Sequence, residues 1–142
     1  MTSLHQVGVA VLLVMLTLCL QSAGIAALLA GIRRATEGFI YKLGPFRVAA
    51  LFIRVMAAMT ALHILEILLW ASCYRWLCFA SWEPASYFSA SSYATVGYGD
   101  VMLPTPWRML GPLESIVGVL MCGFSASVLF AIATRLIRRE GH

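Results

Sequence analysis

The sequence predicts an all-α membrane protein with three spanning helices and one short re-entrant helix followed by a loop. Two observations predict it. Hydrophobic residues make up 61% of the 142 residues and charged residues only 11%, against roughly 25% charged in an ordinary soluble domain. Ten basic and six acidic side chains cannot clothe a water-facing surface of this size. The apolar residues also fall into three long runs, with a Gly-containing aromatic stretch between the second and third. At roughly 100–200 residues per domain, the chain holds one compact unit at most.

The first run, residues 1–32, contains no Asp, Glu, Lys or Arg and exceeds the ~20 apolar residues a span requires. Before its apolar part it has His5 but no Lys or Arg, unlike a cleaved leader, so it is expected to stay as a helix. The second run extends from Val48 into the 70–79 region and carries Arg54, His63 and Glu66. The third covers 112–136, with no charge between Ser115 and Thr134. Residues 81–106 are too polar to span and too few for a soluble domain, which predicts a re-entrant segment. The only seam is 31–47, dividing an N-terminal helix and loop (1–46) from the remainder (47–142).

Basic residues set the expected topology. Arg33, Arg34, Lys42, Arg47 and Arg54 flank the first connection, and Arg135, Arg138 and Arg139 flank the C-terminus. Three spans put those eight on one side and leave Arg75 and Arg108 on the other. The positive-inside rule then predicts a cytoplasmic first loop and C-terminus, an outer N-terminus and a re-entrant segment open to the outside. Trp70, Tyr74, Trp76, Trp82 and Trp107 are expected to form an outer aromatic belt. The net charge of +4 is thereby a matter of orientation, and no nucleic-acid or soluble partner is expected. Cys19 and Cys122 are expected to pack as small buried hydrophobes. Cys73 and Cys78, five apart on different faces of a helix, do not suit an intrachain bridge; a bridge between copies stays open.

Residues 95–100 read Thr95-Val96-Gly97-Tyr98-Gly99-Asp100. A cation that sheds its water needs a column of oxygen atoms in exchange. Backbone whose successive carbonyls face one axis needs dihedrals that alternate in hand. Glycine takes the left-handed positions at no steric cost, which explains Gly97 and Gly99. Thr95 adds a hydroxyl oxygen at the inner end. Backbone this irregular is tolerated at membrane depth only where it lines an aqueous or ionic path.

This hexapeptide resembles the selectivity filter of potassium channels, whose signature loop it reproduces. Residues 84–94 are similar to the family's pore helix: Pro84 suits a first helical position, and ten residues rise ~15 Å with the negative helix end toward a central cavity. The resemblance covers about 47–139. It implies a tetrameric potassium-channel-like pore of outer helix, pore helix, filter and inner helix, with an extra N-terminal helix, in the cell (inner or plasma) membrane. It implies a homotetramer embedded in lipid that passes K+ through carbonyls of Thr95, Val96, Gly97, Tyr98 and Gly99, with ions at the first four and no cofactor beyond the permeant ion. Asp100, Tyr87 and Ser91 are the implied filter supports. Tyr87 and Phe88 stand where the family has paired tryptophans, Ala94 where it has Thr, and Ser91 where some members have a carboxylate. Ungapped alignment puts the family's hinge glycine at Val119, which makes the adjacent Gly118 the hinge candidate, with close helix packing as the alternative. Gly123, Ser127 and Ala131 recur every fourth residue and are assigned to the cavity.

His63 and Glu66 share one helix face, and Glu114 falls behind the expected pore helix, where Ser89 or Ser92 are expected partners. Two other classes compete. The stretch Gly97-Tyr98-Gly99-Asp100 also fits the Gly-x-Gly-Asp motif of intramembrane aspartyl proteases, which need two carboxylates sharing a proton. Asp100 is the only aspartate, so no enzyme is expected. A non-conducting accessory subunit is the second alternative, disfavoured by the intact filter. No helix carries Arg at every third position, so no voltage sensor is expected, and the short tail to His142 predicts no ligand-binding domain.

Overall fold

A computed structural model describes residues 2–36 and 44–140. Lys42 and His142 lie outside the described residues, as does most of the expected first loop. Four helices follow in order: α1 (Thr2–Thr36), α2 (Pro45–Leu77), α3 (Trp82–Tyr93) and α4 (Leu110–Glu140), with a short 3-10 turn at Thr105–Trp107 before α4. No strand occurs among the described residues. α1, α2 and α4 are each long and apolar enough to cross a membrane. At 1.5 Å per residue, the 12 residues of α3 rise only ~18 Å, short of the ~30 Å hydrocarbon core. The fold is the expected one.

The hydrophobic clusters fix how the helices run. At one end, Ala10 and Leu13 of α1 pack with Trp70 and Tyr74 near the end of α2 and Leu110 at the start of α4. At the other, Ile25 of α1 meets Val55 and Met59 of α2, with Leu129 and Ile132 of α4 against them. α2 thus runs opposite to α1 and α4, and the start of α2 shares one end with the last turns of the other two.

Local chemistry sets the ends. Gly44, extended, precedes Pro45 at the first position of α2, where a missing N–H costs nothing. α2 stops as the Cys78 and Phe79 amides both turn back to the Tyr74 carbonyl, at 2.8 and 2.9 Å. α3 begins two residues earlier than expected, after Ser81, so Pro84 is its third residue rather than its first. The first four N–H groups of a helix have no partner within it, so a proline is tolerated there as well.

Two expectations are corrected. Trp70 and Tyr74 are wholly buried and belong to the core, not to an aromatic belt, whereas Trp76 is 83% exposed. Trp107 is half-buried, edge-on to His5 at 5.8 Å. The belt reading follows residue type and depth, but a polar partner on a neighbouring helix draws the ring inward. Cys19 and Cys122, expected to be buried, are exposed on the chain. In a bilayer an apolar side chain leaves water without entering the protein, so hydrophobicity alone does not mark the core. Cys73 and Cys78 are half-buried and unbridged. Burial, then the neighbouring Cys73, pushes the Cys78 thiol up to about 11, which keeps it protonated and slow to oxidise at neutral pH.

α1 is part of this packing. Its buried residues Ala10, Leu13, Thr17, Gln21 and Ile25 recur every three or four positions along one face. Trp70 donates its indole N–H to Thr17 Oγ1 at 2.9 Å, and Gln21 Nε2 donates to Ser125 Oγ of α4 at 3.0 Å. Thr17→Val keeps the shape but leaves the buried indole without an acceptor. It should lower stability by about 1–2 kcal/mol, read as a reduced unfolding midpoint in mild detergent. An unchanged midpoint would mean that α1 docks without this bond.

Candidate functional site

α3 and the loop after it form the site. Ala94 caps α3, its N–H reaching the Ala90 carbonyl at 3.1 Å. The chain then enters the left-handed region at Thr95 (φ 60°), Gly97 (φ 53°) and Gly99 (φ 79°), with no positive φ at Val96 or Tyr98. Hand therefore alternates along the loop, the condition for consecutive carbonyls to face one side. At Gly97 and Gly99 a Cβ would meet nothing within 4 Å, so backbone conformation rather than crowding in this chain demands glycine. Thr95 is the unexpected member. A β-branched residue held there costs on the order of 1–3 kcal/mol, so its neighbours must impose the conformation.

Those neighbours belong to α3. Thr95 N–H bonds the Ser92 carbonyl at 3.0 Å, and the amides of Val96 and Gly97 share the Ser91 carbonyl at 2.8 and 3.2 Å. Ser91 thus contacts the loop through its carbonyl, while its hydroxyl turns back to the Phe88 carbonyl at 3.2 Å. At the outer end Tyr87 donates its hydroxyl to Asp100 Oδ2 at 2.8 Å, and Asp100 Oδ1 accepts the Val101 N–H at 3.1 Å. The hydrogen bond that Tyr87 donates to Asp100 raises its phenol above its ordinary range. The Tyr87 and Tyr98 rings stack at 6.4 Å. Phe88, which cannot donate, is an apolar anchor edge-on to Tyr74 at 5.2 Å.

α3 is itself held by polar groups at membrane depth. The Ser89 hydroxyl lies within hydrogen-bonding distance of Glu114 Oε1 and of the Ile67 carbonyl, and Tyr74 donates to Glu114 Oε2 at 2.8 Å. Glu114 is wholly buried, and both its oxygens are satisfied, so its sequence-expected partner Ser89 is correct. Ser92 instead offers its carbonyl to the Ser115 hydroxyl at 2.6 Å. At the end of α3, Tyr93 donates to Glu66, which His63 also approaches at 3.3 Å. The linking of Tyr93 to His63 and Glu66 is not visible in the sequence; the one available signal is a phenol two residues before Thr95 and two ionisable groups on one face of α2.

Gly118 is held close to α3: a Cβ there would collide with the Tyr93 carbonyl. Close packing is therefore a sufficient reason for glycine at this position. Gly123, Ser127 and Ala131 are all exposed and lie along one face of α4, with the Ser127 hydroxyl bonded to the Gly123 carbonyl at 2.9 Å. The structure brings Tyr87, Ser91 and Asp100 to the loop, and leaves this stripe open. The carboxylates do not pair: Asp100 bonds Tyr87, while Glu66 and Glu114 have partners of their own.

A family model described as "Ion channel" matches residues 62–135, just over half of the 142. No curated protein and no solved structure matches the chain. The matched residues hold the second half of α2, the re-entrant helix, its loop and most of α4. With three apolar helices able to span a bilayer around a re-entrant helix and an irregular loop, this chain belongs to the ion-channel family.

Proposed function

We propose that four copies of the chain assemble into a potassium-selective pore that conducts K+ passively through the carbonyls of Thr95–Gly99. The observation that carries this reading is the alternating hand at residues 95, 97 and 99 within the sequence Thr-Val-Gly-Tyr-Gly-Asp. One chain supplies one strand, and a ring of carbonyls around an ion requires four. Large apolar and aromatic side chains exposed on the single chain support assembly, among them Val96 and Tyr98 (72% exposed) beside the loop. Ions sit at Thr95, Val96, Gly97 and Tyr98, and the exposed stripe of Gly123, Ser127 and Ala131 lines the cavity below, with Gly118 as the candidate hinge of α4. Residues 47–142 form the pore unit and 1–46 an accessory helix and loop. The protein resides in the cell membrane with its N-terminus outside and its basic C-terminus in the cytoplasm, where each charge gains ~1 kcal/mol near anionic lipid.

Native mass spectrometry in mild detergent should find four copies; a monomer or dimer that still conducts would contradict the pore. In a cysteine-free background, a membrane-impermeant thiol reagent applied outside should label a cysteine placed at Thr2 and not one at Gly141, and the opposite pattern would invert the topology. Gly99 should matter more than Asp100. A left-handed alanine costs ~1–2 kcal/mol, and four copies add around one ring. Gly99→Ala should therefore abolish K+-selective flux in liposomes, while Asp100→Asn, whose amide oxygen still accepts from Tyr87, should retain it at an altered rate. Selective flux in Gly99→Ala with none in Asp100→Asn would show that residues 95–99 are not the filter.

A further inference from the structure

Polar residues from all four helices converge beside the end of α3 that leads into the filter loop. On α2, His63 places Nδ1 2.8 Å from the Tyr93 hydroxyl and 3.3 Å from Glu66 Oε2, and Nε2 3.1 Å from Ser125 Oγ of α4. Tyr93 and Glu66 are hydrogen-bonded to each other. Gln21 of α1 donates to Ser125 Oγ at 3.0 Å and to the Met121 carbonyl at 3.3 Å. Glu66 is wholly buried, and its Oε1 has no partner among the described residues.

Few hydrogens are available to this chain of bonds, so their directions can be counted. With Glu66 ionised and His63 neutral, Tyr93 donates its single hydrogen to Glu66. Nδ1 must then carry the imidazole hydrogen, and Nε2 accepts from the Ser125 hydroxyl. One added proton has two places to go, because a hydrogen on Glu66 Oε1 would be a buried donor with no acceptor among the described residues. On the imidazole, it occupies Nε2. On the carboxylate, Glu66 donates to Tyr93, Tyr93 donates to Nδ1, and the imidazole hydrogen moves to Nε2. Both outcomes make Nε2 a donor to Ser125, whose hydroxyl then turns to the Met121 carbonyl four residues back. Protons in such a group belong to the set and not to one residue.

We propose that His63, Tyr93 and Glu66 bind one proton as a unit, and that this proton reverses the hydrogen bond between His63 and Ser125. His63 is thereby a positioning residue joining α4 to the entrance of the filter, an inference that rests on the channel reading above. The path is short: Tyr93 ends α3, its carbonyl sits against Gly118, and Thr95 is two residues on. Beyond its three members, the groups facing the unit are Cys122 and Ser125 on α4 and the neutral Gln21 on α1, with Glu114 within electrostatic reach of Tyr93. Among the described residues no Lys or Arg forms an ion pair with it. Without the proton the unit is a net negative charge in each copy, which favours cations nearby. Potassium flux should therefore be greater at alkaline pH.

Two measurements test this. In liposomes, 15N NMR of histidine-labelled protein, with His5 and His142 replaced by Gln, should find His63 Nε2 bare in alkaline buffer and protonated in acidic buffer. Over the same interval K+ flux should fall about fivefold or more in the wild type, and less than about twofold in the double variant His63→Gln with Glu66→Gln. An Nε2 protonated at both pH values, or a pH response that survives the double variant, would overturn the proposal. If the wild type carries no potassium at either pH, the chain is not a potassium channel, while the nitrogen measurement on the His5→Gln, His142→Gln protein still decides the proton chain.

Discussion

Backbone that turns its carbonyls toward one axis cannot use those carbonyls to hold itself together. Residues 95–99 have no helical or sheet ladder of their own; three of their amides are tied instead to the carbonyls of Ser91 and Ser92. The loop is thus only as well placed as the end of α3. It also contains Thr95 in a conformation that a β-branched residue does not adopt unaided. Everything around the loop is consistent with that need.

α3 is too short to be anchored at two membrane surfaces, so it is anchored sideways. Glu114 receives the Tyr74 hydroxyl and lies against that of Ser89, Glu66 receives Tyr93, and Ser115 bonds the Ser92 carbonyl. A carboxylate exposed to lipid is costly; placed between helices with donors aimed at it, the same group joins them. Aromatic packing completes the seat, with Phe88 edge-on to Tyr74 and Trp70 beside it. α1 adds to the same structure, since Thr17 holds Trp70 and Gln21 holds Ser125. The N-terminal helix, a separate element in sequence, is bonded to both α2 and α4 within the matched region.

The spans, the re-entrant segment and the loop were legible because each rests on a constraint that few residue types satisfy: charge-free length for a helix in lipid, and glycine for a left-handed turn. Tyr87 and Asp100 were legible only through the resemblance, and Glu114 with Ser89, one of two expected partners, because a carboxylate between helices needs a donor. Facing directions were not. Trp70 and Tyr74 have the composition of an interfacial belt, and only Thr17 and Glu114, 53 and 40 residues away, reveal that they point inward. Cys19 and Cys122 show the converse, because lipid accepts what a soluble fold would bury. The left-handed Thr95 gave no signal, since its side chain argues against that conformation and only the α3 carbonyls enforce it. Nothing in the sequence separates a hinge from a close contact at Gly118; the close contact shows only in the Tyr93 carbonyl set against it.

The central claim is that carbonyls of residues 95–99 surround dehydrated potassium on a fourfold axis. Anomalous diffraction from crystals grown in thallium, a heavy stand-in for K+, tests it most directly. A column of anomalous peaks on that axis, each ringed by backbone oxygens of Thr95 to Gly99 from four copies, is the result predicted. Crystals that diffract well enough to trace the loop, yet place those carbonyls away from any shared axis and show no thallium beside them, would contradict it.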